Sequence, residues 1–163
     1  MGVETKRVAL GGMMAALAVC VMCIGGIIPM ATYVSPVICM FILRFVTMSC
    51  GKRLAWAWYA ATAFLSVLLC ADKESAAVFL FLGYYPLLKT WFDRQPLKWV
   101  LKLGFFNAVT AALYAFLIFL LGMDELSAEF RDSGTIVLII TVVLANVVFV
   151  FTDRLLSMRL RVR

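Results

Sequence analysis

Five cysteines, one arginine and a short run of charges are the residues of this chain whose chemistry could exceed packing. Cys20 and Cys23 have the C-x-x-C spacing of redox and metal sites. They fall within an apolar stretch with no second pair, so they read as small, polarizable packing residues. Cys39, Cys50 and Cys70 read in the same way, and no disulfide framework is expected. The absence of histidine removes histidine-dependent zinc and phosphatase chemistry, and no metal site is expected. There is no G-x-x-x-x-G-K-S/T phosphate loop, so the chain is not expected to hydrolyse ATP unaided. Asp72, Glu74 and Asp153 fall at the ends of apolar runs rather than inside them, which argues against a self-sufficient ion-driven carrier. Neither a catalytic residue nor a cofactor is expected.

The polar residues divide into three groups. Arg44 is the one unambiguous charge within an apolar run. It is expected to snorkel toward lipid headgroups, with Tyr84, Tyr85, Asn107 or Asn146 as alternative buried partners. A second group comprises Tyr33 and Ser35 between the first two runs, Asp72, Lys73 and Glu74 between the third and fourth, and Tyr114 in the fifth. These form a candidate ligand site, in which a few polar groups orient a small molecule against an aromatic wall; the plainer reading is a solvated rim. Gly11, Gly12, Ala15 and Ala16 form the third group. Their four-residue offsets place small side chains on one stripe and let another helix approach closely, from this chain or from a partner.

The elements that must position these residues follow from the composition. Of 163 residues, 65% are hydrophobic and 15% charged, with a mean hydropathy of +1.04. A soluble domain runs at roughly 45–50% apolar. Six apolar helices of about 20 residues would use most of the chain and leave no room for a second, water-soluble core. The chain is uncharged from Val8 to Leu43, too long for one helix, and Gly25, Gly26, Pro29 and Pro36 punctuate it. The expected architecture is an all-α integral membrane protein. Its single domain, 1–163, would have six transmembrane helices near 8–28, 31–50, 54–71, 75–91, 100–122 and 134–152.

Charge sets the expected orientation. Lys6, Arg7, Lys52, Arg53, Lys89, Arg94, Lys98, Lys102, Arg154, Arg159, Arg161 and Arg163 fall on one side of such a bundle. The other side holds Lys73 and Arg131 against Asp72, Glu74, Asp124, Glu125, Glu129 and Asp132. Basic residues concentrate on the cytoplasmic side, so both termini are expected in the cytoplasm of a multi-pass plasma-membrane protein. The net charge of +6 then faces anionic lipid, not nucleic acid. The first helix has no polar mature segment after it, so it reads as part of the protein and not as a cleaved signal.

Three segments resemble the substrate-binding S components of energy-coupling factor (ECF) transporters: VALGGMMAAL at Val8–Leu17, DKESAAVFLFLGYYPLLK at Asp72–Lys89 with the following FFNA, and TDRLL at Thr152–Leu156. The family's small-residue pattern on its first helix, usually Ala-x-x-x-Ala, appears here as Gly-x-x-x-Ala in Gly11–Ala15 and Gly12–Ala16. The resemblance implies that this stripe docks on a transmembrane T component. It also implies that two partner ATPases supply the energy, and that a vitamin-like small molecule is bound from outside. The alternative is a ligand-free membrane scaffold similar to the rod-shape membrane protein MreD. A membrane enzyme ranks third, because no acid/base set can be assembled.

Overall fold

A computed structural model describes residues 2–25, 31–119 and 135–157. Every described element is a helix: α1 Val3–Gly25, α2 Val34–Cys50, α3 Lys52–Leu69, α4 Lys73–Leu82, α5 Tyr85–Phe92, α6 Lys98–Phe119 and α7 Thr135–Ser157. Residues 26–30, the acidic residues Asp124, Glu125, Glu129 and Asp132, and Arg159, Arg161 and Arg163 lie outside the described residues. Among the described residues, three helical segments are long and apolar enough to cross a membrane: Glu4–Gly25, Lys98–Phe119 and Ile139–Ser157. Helix α2 is apolar but has only 17 residues, about 25 Å at 1.5 Å per residue.

The chain divides into two compact units, Met1–Gln95 and Pro96–Arg163. In the first unit α1, α2, α3 and the α4–α5 pair run alternately up and down. Residue pairs fix that topology. Cys50 Sγ donates to the Arg7 carbonyl at one end (3.4 Å), and Cys39 Sγ donates to the Ala18 carbonyl midway (3.5 Å). Ser75 Oγ reaches Met22 Sδ at the other end (3.9 Å). Lys52 Nζ donates to Thr90 Oγ1 (3.4 Å), so the end of α5 returns to the start of α3. Ala18, Met22, Cys39, Leu43, Val46, Trp58 and Phe79 are buried at the centre of this bundle.

Local sequence explains the joints. Pro36 sits in the first turn of α2, where a missing N–H leaves no hydrogen bond unmade. A single residue, Gly51 at φ 90° and ψ 162°, links α2 to α3. That region is essentially reserved for glycine. The segment expected as one helix at 75–91 is two. Pro86 has no N–H to continue the α4 ladder, and α5 restarts with Leu87 and Leu88 donating to the Tyr84 carbonyl. Gly83 permits the joint, because a Cβ there would press into the Phe79 ring at 2.7 Å.

The second unit is an antiparallel pair, α6 and α7. Phe106 stacks on Phe149 at 4.4 Å between centroids with 17° between planes. Asn107 and Asn146 exchange side-chain hydrogen bonds of 2.9 and 3.1 Å. Nearer the start of α6, Lys102 Nζ lies 3.1 and 3.2 Å from the two oxygens of Asp153. Away from these contacts the helices are apolar: Phe119, Ile140, Leu144, Val147 and Phe151 are all exposed. Water does not favour so continuous an apolar surface, whereas hydrocarbon does.

Candidate functional site

At the end of the first unit where α1 and α3 finish, the polar residues of the two connections meet. Tyr33 donates its hydroxyl to Glu74 Oε1 at 2.6 Å, joining the start of α2 to the start of α4. Asp72 is the N-cap of α4, and its Oδ1 accepts from the N–H groups of Glu74 and Ser75 at 3.0 and 3.2 Å. These are two of the donors that a helix start leaves unpaired. Lys73 turns back onto α3, donating to the carbonyls of Val67 and Cys70 at 2.9 and 3.0 Å, a favourable place for a cation. Ser35 is buried against α1, so closely that a Cβ on Gly25 would collide with its side chain.

Five residues expected at a ligand site, Tyr33, Ser35, Asp72, Lys73 and Glu74, therefore belong to one end of one unit. Four of them already have work. Lys73 holds carbonyls, Glu74 holds Tyr33, and Asp72 Oδ1 caps a helix. Asp72 Oδ2 is different: it is buried and accepts no hydrogen bond. Tyr114, the sixth, is half-buried on α6 of the second unit.

Beneath this end runs a row that the sequence reading missed. Trp58, Thr62 and Ser66 stand four residues apart on α3, only 4%, 0% and 0% exposed. The indole Nε1 of Trp58, Oγ1 of Thr62 and Oγ of Ser66 all lack a hydrogen-bond partner. The next step of four is Cys70, 1% exposed, beside the charged turn. A buried polar group without a partner costs about 1–3 kcal/mol. Three such groups on one helix face, and Asp72 Oδ2 near its end, form a set of donors and acceptors with nothing of their own to bind. Two hydroxyls can donate or accept, the indole can only donate, and the carboxylate can only accept. The available signal was the four-residue spacing of Thr62 and Ser66 inside an otherwise apolar helix.

The small stripe of α1 splits in two. Gly11 is buried, with Leu54 3.5 Å from where its Cβ would stand, and Ala15 packs against the core. Gly12 and Ala16 are exposed, Gly12 has nothing within 4 Å, and Cys20 continues the outward row. Arg44 is half-buried on α2 and its Nε has no partner. Asn107 and Asn146, alternatives for its partner, bond each other within the second unit. Among the described residues no cluster of three or more His, Cys, Asp or Glu is placed to hold a metal ion.

Comparison of the chain with protein-family models, with curated proteins and with solved structures gives no match.

Proposed function

We propose that this chain is the substrate-binding membrane subunit of an importer of the energy-coupling factor type. It captures a vitamin-like small molecule from outside and passes it on through a T component driven by two ATPase subunits. The observation that carries this reading is the row Trp58, Thr62 and Ser66, buried and unpartnered below the Tyr33–Glu74 and Asp72 end. A protein whose role is only packing gains nothing from three desolvated polar groups, whereas a ligand would satisfy them and recover their cost.

In this reading the chain spans the plasma membrane six times with both termini in the cytoplasm. The charged turn at Asp72–Glu74 then faces outward. Its two carboxylates disfavour a polyanion, and the buried Oδ2 of Asp72 accepts from an amine or hydroxyl of a partly aromatic ligand. The outward row Gly12, Ala16 and Cys20 supplies the surface for the T component, since small residues let helix backbones approach. The same row is the observation that favours the rival reading, a ligand-free scaffold resembling MreD.

The two readings separate in one experiment. The protein is purified in mild detergent from its native membrane, denatured, and the released small molecules are identified by mass spectrometry. A stoichiometric organic molecule carrying an amine or hydroxyl supports the importer. Release of lipid and detergent alone supports the scaffold.

A further inference from the structure

Cys23 and Cys20, its C-x-x-C neighbour, meet different surroundings. Cys20 is exposed on the outer face of α1. Cys23 turns inward, and its sulfur lies 3.5 Å from that of Cys70, 47 residues away. The two sit where α1 and α3 approach their common end: Gly25 is two residues beyond one, Asp72 two residues beyond the other. A disulfide needs the sulfurs at about 2.05 Å, so an approach of about 1.5 Å closes the bond. The two thiols differ in access. Cys23 is only partly buried, whereas Cys70 is 1% exposed and its carbonyl is held by Lys73 Nζ at 3.0 Å.

From this geometry we propose that Cys23 and Cys70 form a redox-active dithiol, oxidised to an intramolecular disulfide by a small-molecule disulfide. Cys23 gives up its proton to solvent, and its thiolate attacks one sulfur of the reagent. The reagent's S–S bond breaks, a mixed disulfide forms on Cys23, and the first reagent thiolate leaves and is protonated. Cys70 then loses its proton, and its thiolate attacks Cys23 Sγ. The mixed disulfide breaks, and the second reagent thiolate departs and is protonated. Two cysteine thiols are oxidised, one reagent disulfide is reduced to two thiols, and atoms and electrons balance. The product staples α1 to the α3–α4 turn. It is independent of the ligand-binding reading, because it needs only the two sulfurs and a route to Cys23.

The test treats the full-length protein in detergent with 4,4′-dithiodipyridine, blocks remaining thiols with iodoacetamide, and maps digested peptides by mass spectrometry with and without reduction. The expected product is a linked Cys23–Cys70 peptide pair that dithiothreitol separates. Cys70→Ser should instead retain a thiopyridyl adduct on Cys23, since no resolving thiol remains. Cys23→Ser should leave Cys70 without a thiopyridyl adduct over the same period. The proposal is overturned if the wild type retains the adduct on Cys23, if Cys23 links to Cys20 or Cys39, or if both residues are alkylated while Cys20 alone has reacted.

Discussion

Lys102 and Asp153 place opposite charges 3.1 Å apart with each side chain only 3% exposed, and the Lys102 ammonium also stands 5.5 Å from the centre of the Trp99 ring. Neither charge tolerates that environment alone. Asp153→Ala should therefore destabilise the protein by about 3–5 kcal/mol, because it removes the carboxylate that faces a buried ammonium. The double variant Lys102→Met, Asp153→Leu should regain most of that loss. Denaturant titrations in detergent, followed by tryptophan fluorescence, measure both; a single variant as stable as the wild type contradicts the pairing. A second prediction concerns Asp72. Asparagine caps helices as well as aspartate does, so Asp72→Asn should keep the stability of the wild type and weaken binding of an amine ligand at the buried Oδ2. Equal losses of stability and binding would make Asp72 a cap alone. The charges of Lys102 and Asp153 were visible in the sequence as basic and acidic residues at the ends of apolar runs. Their partnership was not, because it depends on the antiparallel register of α6 and α7, which no local pattern encodes. Lys73 shows the same limit: expected at a ligand site, it is held by the Val67 and Cys70 carbonyls at the end of α3.

Helices α2 and α3 turn on one residue. Gly51→Ala should cost about 1–3 kcal/mol, the usual penalty for forcing a side chain into this backbone region. Chemical denaturation again measures it; an unchanged midpoint would mean that the link relaxes to another conformation. The two faces of α1 give a sharper prediction. Ala15 packs inward and Ala16 outward. Ala15→Leu should overpack the bundle, costing about 1–3 kcal/mol. Ala16→Leu should leave the isolated protein as stable as before and abolish copurification of a T component. Loss of fold in both would make the whole stripe internal. The positions of the apolar elements were largely legible, because charge-free runs mark them and glycine or proline interrupts them. The break at Tyr84 was not, since the apolar pattern continues across it and only Pro86 forbids an unbroken ladder. The inward and outward halves of the α1 stripe were equally hidden, because a four-residue offset names a shared face without saying what covers it.

At the scale of the whole molecule, the apolar outer faces of α1, α6 and α7 suit hydrocarbon, and in the proposed reading the charge asymmetry orients the chain within it. A fluorescent reporter fused after Arg163 should therefore light the cytoplasm; a silent cytoplasmic reporter with an active external one would reverse the orientation. Sequence reasoning reached the helical class and the end of the first unit where polar residues gather. It stopped short of α3, where hydroxyls that look unremarkable in a list of residues become costly once Trp58, Thr62 and Ser66 are enclosed. That row is also where the account is most exposed. Thr62→Val with Ser66→Ala removes both hydroxyls at nearly constant volume, so the fold should survive and the bound molecule should not. Native mass spectrometry of the wild type and this double variant, released gently from detergent, reads the difference directly. A small-molecule adduct on the wild type that disappears from the variant is the predicted result; identical spectra, with the adduct on both proteins or on neither, would contradict it.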